Sequence, residues 1–111
     1  MPIRRYCLTL DLIDDENLIR EYEMMHEQIW PEITASIRDA GICNMEIYRY
    51  SNHLVMMMEV SDVFSFEKKQ QMDQSNKKVQ EWELLMWKYQ LAVPGAKPGE
   101  KWVLMNKIFA L

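Results

Sequence analysis

The chain has 111 residues, of which 49% are hydrophobic and 27% are charged, and this composition is typical of one globular domain. Its 17 acidic and 13 basic residues give a formal net charge of −4, which opposes binding to the phosphate backbone of a nucleic acid. No apolar run reaches the roughly 18 to 20 residues that a membrane span requires. We therefore expect a single domain over residues 1–111, with neither a nucleic acid nor a membrane as a partner.

The first segment, from Ile3 to Leu12, alternates apolar and polar side chains, and this period of two predicts a half-buried β-strand. Asp11 interrupts its apolar stretch early and no small-residue cleavage site follows, so the segment lacks the features of a signal peptide. We therefore expect a cytoplasmic protein. Cys7 and Cys43 lie in strand-like stretches without the spacing of a zinc site, and we expect buried thiols and no metal.

A helix is predicted to follow, with Asp14 as its N-cap, and to run to about Ala40, where Gly41 stops it. Pro31 lies inside this helix. Because proline has no backbone N–H and clashes with the carbonyl four residues back, we expect a kink just after Trp30. The apolar side chains of the helix recur at spacings of three and four, which is typical of a helix packed on an apolar surface: Leu18, Tyr22, Met25, Ile29 and Ile33.

The second half of the chain contains a predicted hairpin, a helical region and a last strand. Strands are predicted from Cys43 to Tyr50 and from Leu54 to Val60, joined by a short turn. The pattern is helical from Val63 to about Leu91, but the polar segment DQSN at 73–76 divides it into two helices. A loop with two proline–glycine pairs then leads to a final strand from Trp102 to Leu111.

The predicted element order is strand, helix, strand, strand, helix, strand. This is the order of a ferredoxin-like βαββαβ sandwich, an α+β fold in which helices cover one face of an antiparallel sheet. Both faces of the strands carry apolar residues, and no helices remain to cover the second face. A second copy of the sheet is the simplest cover. We therefore expect a homodimer in which two sheets form a dimeric α/β barrel.

One histidine lies between two aromatic residues on the first predicted helix. Tyr22, His26 and Trp30 are four residues apart, so their side chains lean over one another at the edge of the apolar stripe. The kink at Pro31 tilts this part of the helix and predicts a pocket beneath it. Composition alone makes a histidine beside aromatic residues more often a packed core residue than a catalyst. His53, in the predicted turn, is expected to be a solvated loop residue.

The segment YEMMHEQIWPE (residues 22–32) resembles the L-rhamnose mutarotase family. Its most specific part is the histidine followed at fixed spacing by isoleucine, tryptophan, proline and glutamate. The resemblance covers most of the chain in order and without a large gap. It continues at matching spacing through Gly41, Asn44, Tyr48, the strand around residues 54–59 and the segment QEW at 80–82.

The resemblance implies a dimeric ferredoxin-like barrel that needs no cofactor and interconverts the α and β anomers of a 6-deoxy sugar. It also implies that His26 is the proton donor and that Tyr22 contacts the sugar. The chemistry agrees with the residue type. Mutarotation opens a cyclic hemiacetal and closes it on the other carbonyl face, so the ring oxygen gains a proton and the anomeric hydroxyl loses one. An imidazole, with an ordinary pKa of about 6.5, gives and retakes a proton near neutrality.

Two positions depart from the pattern of this family. Met45 stands where the rhamnose enzymes carry a substrate-contacting tyrosine, and Glu83 follows Trp82 where they carry a second tryptophan. These changes alter which sugar hydroxyls can be held, so L-fucose and L-rhamnose are equal candidates for the substrate. Trp30 is expected either to form a wall of the pocket or to pack in the core. Glu59 is expected either to accept a sugar hydroxyl or to be a surface carboxylate.

Two other functions stay open at this point. Cofactor-free and haem-degrading monooxygenases also use dimeric ferredoxin-like barrels, and a fold alone does not decide function. A dimer that binds a metabolite without turning it over is the other alternative. The mutarotase is favoured over such a binding protein because a binder has no need for a titratable donor in its pocket.

Overall fold

The computed structural model describes residues 4–111. An antiparallel sheet with helices packed on it forms the core of the protein. The strands run in the order β2-β3-β1-β4, and β5 also pairs with β1. This confirms the predicted α+β fold with an antiparallel sheet. The start of the first predicted strand, Ile3, lies outside the described residues. The elements are β1 (Arg4–Leu12), α1 (Glu16–Glu27), α2 (Pro31–Asp39), β2 (Ile42–Tyr50), β3 (His53–Val60), α3 (Phe66–Gln74), α4 (Lys77–Met86), β4 (Gln90–Leu91) and β5 (Val103–Leu104).

The chain around Pro31 forms two helices rather than the single kinked helix that was predicted. Helix α1 ends at Glu27, because the ring of Pro31 clashes with the carbonyl of that residue and proline has no N–H to bond it. Trp30 has the extended backbone that a residue before proline favours, with φ −54° and ψ 133°. Pro31 then starts α2, where a missing N–H costs no hydrogen bond.

The predicted residue that stops the second helix is confirmed, whereas the predicted N-cap of the first helix is corrected. Gly41 has φ +96° and stops the second helix as predicted. A Cβ at Gly41 would lie 3.1 Å from the side chain of Ser61, so the position requires glycine for both its conformation and its space. The N-cap of α1 is Asp15 instead of Asp14, because the Asp15 carboxylate accepts from the backbone N–H of Asn17.

The division of the second helical region into two helices is confirmed, and so is the β2–β3 hairpin. Asn76 begins α4 by accepting from the backbone N–H groups of Lys78 and Val79, which explains the break in this polar segment. The longest helix, α1, has 12 residues. None of the helices within residues 4–111 has the length and apolar character of a membrane span.

The end of the chain differs from the prediction. The second helical region stops at Met86 instead of Leu91, and Gln90–Leu91 pair with β1 as the short strand β4. The predicted last strand from Trp102 to Leu111 shrinks to two residues, which pair with Leu8 and Thr9 of β1. Both short strands lie along the same edge of β1, so together they take the place of the single fourth strand that was predicted.

The two faces of the sheet differ in burial. Helices cover one face, and the face opposite the helices carries exposed aromatic and sulfur-containing side chains, among them Tyr48, Tyr50 and Met57. Cys7 is partly exposed and Cys43 is exposed, and both are free. The prediction of buried thiols was therefore wrong, because both side chains belong to strands with one exposed face. The helix-covered face contains the buried residues of β1 and β3, namely Leu8, Leu10, Leu12, Leu54, Met56, Met58 and Val60.

Candidate active site

A cavity of about 600 Å³ lies between the helices and the covered face of the sheet. Small-molecule pockets commonly measure about 300–1,000 Å³. Its floor is apolar and comes from strand residues such as Met45 and Met56, while its wall comes from α1, α2 and α4. Its polar groups include His26, Glu83 and Lys101. An apolar cavity with a few polar groups suits a small ligand that is apolar across its faces and polar at its edges.

His26 lies in the last turn of α1 and lines this cavity. Its Nδ1 is 2.7 Å from the backbone carbonyl oxygen of Tyr22. Because a carbonyl oxygen only accepts, the neutral imidazole carries its proton on Nδ1, and Nε2 keeps the lone pair for a ligand. Burial lowers the pKa of His26 below its ordinary value of 6.5, while the hydrogen bond to Tyr22 raises it by a smaller amount. The imidazole is thus a base at neutral pH.

Aromatic rings hold this imidazole in place. The ring of Tyr22 lies with its centroid 4.3 Å from that of His26, and the indole of Trp82 approaches edge-on at 5.7 Å. Trp30 packs edge-on against Trp82 at 5.1 Å. Trp30 is not among the residues that line the cavity, whereas Trp82 is. Trp30 therefore lies beside Trp82 and outside the lining of this cavity.

Tyr22 is buried and lines the cavity. The amide Nε2 of Gln90 donates to this hydroxyl over a long distance of 3.5 Å. Burial raises the pKa of Tyr22, and the bond from Gln90 lowers it by a smaller amount. The phenol therefore stays protonated at neutral pH, and its own O–H is available to a ligand.

The remaining predicted contacts separate into two groups. Met45 and Glu83 both line the cavity. Glu59 does not, because side chains alternate along β3 and its neighbour Met58 faces the helices. Glu59 lies on the opposite face and forms an ion pair of 2.8 Å with Arg5. The structure thus places Glu59 outside this cavity, in the position of the surface-carboxylate alternative.

Gln90 and Lys101 are among the polar residues that line the cavity without having been singled out by the sequence pattern. The ammonium of Lys101 donates to the backbone carbonyl of Glu83 at 2.8 Å and lies 4.8 Å from the centre of the Trp87 ring. Burial lowers the pKa of Lys101, and the charge of Glu83 raises it by a smaller amount. Lys101 stands in the proline–glycine loop, where no periodicity orients a side chain. Gln90 stands where a helix end was predicted, so neither residue carried a sequence signal.

The charges around the cavity are balanced. Lys69 forms an ion pair with Asp73 at the rim, and Lys101 lies beside Glu83. Two positive and two negative side chains leave no net charge, which suits a neutral ligand better than an ionic one. Within residues 4–111, no group of three or more histidine, cysteine, aspartate or glutamate side chains is arranged to hold a metal ion.

Comparisons with known proteins agree with one another. The sequence profile of the L-rhamnose mutarotase family matches residues 5–111. An L-fucose mutarotase of Xanthomonas campestris pv. campestris is 44% identical over 100% of this chain and 90% of that protein. An L-rhamnose mutarotase of Flavobacterium johnsoniae is 50% identical over 28 residues, which cover 25% of this chain and 26% of that protein. A crystal structure of an L-rhamnose mutarotase from Formosa agariphila has a TM-score of 0.71 at 20% identity, over 97% of this chain and 98% of that chain.

Proposed function

Since the chain belongs to the L-rhamnose mutarotase family, and is thus a sugar mutarotase, we propose that it interconverts the α and β anomers of L-fucose and that His26 moves the protons. The observation that carries the second part is the position of His26. Its neutral ring has Nδ1 bound to the carbonyl of Tyr22, which leaves Nε2 as a base in a cavity without net charge. The reaction class is isomerisation.

The choice of L-fucose is supported by sequence. The full-length relative that is 44% identical is an L-fucose mutarotase, whereas the similarity to the L-rhamnose mutarotase of Flavobacterium johnsoniae covers 28 residues. Met45 and Glu83 line the cavity at the two positions that depart from the rhamnose pattern. A thioether cannot donate to a sugar hydroxyl, and a carboxylate accepts where an indole would donate. Both changes favour a 6-deoxy hexose with hydroxyls oriented differently from those of L-rhamnose.

The proton transfers follow from the tautomer. Nε2 of His26 accepts the proton of the anomeric hydroxyl as the C1–O1 bond becomes a double bond and the bond from C1 to the ring oxygen breaks. The imidazolium then donates that proton to the ring oxygen, which is the donor role that the family resemblance implies. Both oxygens are bonded to the same carbon, so one imidazole serves both. Rotation about the C1–C2 bond exposes the other carbonyl face, and the reverse transfers close the ring as the other anomer.

The surrounding residues orient the sugar. The protonated hydroxyl of Tyr22 donates to a sugar oxygen, and the indole of Trp82 offers a flat apolar surface to the C–H face of the pyranose. Met45 contributes apolar surface for the methyl group, and the carboxylate of Glu83 accepts from a sugar hydroxyl. Because burial keeps Tyr22 protonated, it acts as a donor and leaves the base role to His26.

The relatives named above are mutarotases, so neither the monooxygenase nor the non-catalytic binding dimer is favoured. The proposed experiment is saturation-transfer proton NMR at the anomeric resonances of L-fucose and L-rhamnose. We expect transfer between the α and β signals of L-fucose at micromolar enzyme, and at least tenfold slower transfer for L-rhamnose. Faster exchange of L-rhamnose would overturn the choice of sugar, and no transfer with either sugar would overturn the function.

We also propose a cytoplasmic homodimer in which the sheet face opposite the helices packs on the same face of a second copy. Tyr48, Tyr50 and Met57 all lie on this face and are 57%, 83% and 38% exposed. Large apolar side chains that are exposed together typically mark an interface. Light scattering on the purified protein is expected to give twice the mass of the 13.4 kDa chain, and a monomer at micromolar concentration would contradict this assembly.

A further inference from the structure

We propose that Gln90 is a sugar-binding residue whose buried amide holds one secondary hydroxyl of the pyranose and so determines which epimer the enzyme prefers. This inference rests on the mutarotase function proposed above. Gln90 belongs to the two-residue strand β4 and lines the same cavity as His26. It is a substrate contact that neither the family motif nor the sequence pattern indicates.

The amide of Gln90 is buried and half unpaired. The residue is 6% exposed, and among residues 4–111 its Oε1 has no hydrogen-bond partner. Its Nε2 makes the long bond to the hydroxyl of Tyr22. Buried side-chain polar atoms in native proteins nearly always have a partner, and an exception requires an explanation such as a functional role, strain or an ordered water or ion. Because Gln90 lines the cavity, a ligand there can supply the partner. Turning the amide around would exchange the two ends and leave the NH₂ unpaired instead, so one end is free in either orientation.

The position does not require an amide for folding. The backbone of Gln90 pairs with that of Leu12 in β1, and Leu12 is buried among apolar residues of the helix-facing core. Side chains of paired residues point to the same face of a sheet, so Gln90 points toward the helices and the cavity. An apolar side chain of the same length would fill this place without an unpaired atom. The Oε1 of the amide therefore gains a partner only when a ligand occupies the cavity.

A sugar hydroxyl complements this arrangement. Because Nε2 of Gln90 donates to the Tyr22 oxygen, the Tyr22 O–H is directed elsewhere, and a hydroxyl between the two residues can accept from Tyr22 and donate to Oε1 of Gln90. The ring of Tyr22 also stacks on His26 at 4.3 Å. The hydroxyl that Gln90 holds therefore lies one aromatic ring away from the base that moves the protons.

This placement bears on specificity. L-fucose and L-rhamnose have opposite configurations at C2 and at C4, and 6-deoxy-L-glucose differs from L-rhamnose only at C2 and from L-fucose only at C4. A site built to bind one hydroxyl rejects the epimer that presents it elsewhere, because the buried amide then stays unpaired. Comparing the three sugars therefore identifies the carbon whose hydroxyl Gln90 binds.

The test compares wild type, Gln90→Met and a control, Gln71→Met, which makes the same substitution at an exposed position of α3 that does not line the cavity. Exchange rates for the three sugars are measured by saturation-transfer NMR as a function of sugar concentration. We expect Gln90→Met to raise KM for the preferred sugar about five- to tenfold, as for the loss of one hydrogen bond. We also expect it to reduce the preference between epimers by a similar factor, and Gln71→Met to change neither.

Melting temperatures without sugar separate this role from a structural one. Gln90→Met removes an unpaired buried atom together with one long hydrogen bond to Tyr22, so we expect its melting temperature to stay close to that of the wild type. Unchanged KM and unchanged epimer preference in Gln90→Met would overturn the inference at any melting temperature, while anomer exchange by the wild type would still support the proposed function. No exchange and no sugar-dependent melting shift in the wild type would overturn both.

Discussion

The tautomer of His26 predicts a pH dependence whose sign separates two mechanisms. If neutral His26 accepts the anomeric proton first, the active form is the unprotonated one. Burial lowers the pKa of His26 below 6.5, so more than half of the enzyme is still active at pH 6.5, where an unperturbed histidine would be half protonated. On the acid side of the lowered pKa, kcat/KM falls about tenfold per pH unit because one proton inactivates the enzyme.

The assay is the exchange rate of L-fucose anomers between pH 4.5 and 8, chosen as an approximate range around the ordinary histidine pKa of about 6.5. The uncatalysed rate is measured in the same buffers and subtracted. We expect a plateau at pH 8 and a single descending limb whose midpoint lies below pH 6.5. An enzyme that becomes faster as the pH falls through this range would refute the reasoning, because the imidazolium would then be the required starting form.

Three further predictions test the packing and charges of the site. Trp82→Ala is expected to lower the free energy of unfolding by about 3–5 kcal/mol in urea titration, since the indole is buried against His26 and Trp30; a loss below 1 kcal/mol would place Trp82 outside the core. Gly41→Ala is expected to destabilise by about 1 kcal/mol or more in the same titration, because Gly41 has φ +96°, and an unchanged midpoint would argue against that backbone. Lys101→Met is expected to weaken L-fucose binding about fivefold in calorimetry, because the cavity then keeps Glu83 without its neighbouring cation; equal affinity would show that Lys101 does not act on the sugar.

The fold was predictable wherever periodicity is long. Strand alternation located β1, β2 and β3, and the cap-forming Asn76 located the break between α3 and α4. Short elements escaped because a two-residue strand such as Gln90–Leu91 has no period of its own and exists only through pairing with β1. The sequence predicted that Pro31 disturbs the helix, but it predicted a kink where the structure has two separate helices. A proline inside a helix either kinks it or ends it, and the packing of the two halves decides which.

The residues of the site were also predictable only where they lie on a long periodic element. Tyr22 and His26 share a helix face, so their spacing predicted their contact. Glu59 was considered for the sugar because its carboxylate could accept from a hydroxyl, and the alternation of β3 places it on the other face of the sheet. Gln90 and Lys101 reach the cavity through tertiary structure alone. Such contacts depend on how a loop and an edge strand return to the sheet, which no local pattern in the sequence records.

The most direct test of the account compares the two histidines of the chain in one assay. His26→Ala removes the base in the cavity, whereas His53→Ala removes a largely exposed ring that pairs with Asp11 at 2.8 Å on the other face of the sheet. Saturation transfer between the anomers of L-fucose is expected to fall about 10²–10⁴-fold in His26→Ala and to stay within about twofold of wild type in His53→Ala. Undiminished exchange in a folded His26→Ala enzyme would contradict the central claim that this imidazole moves the protons.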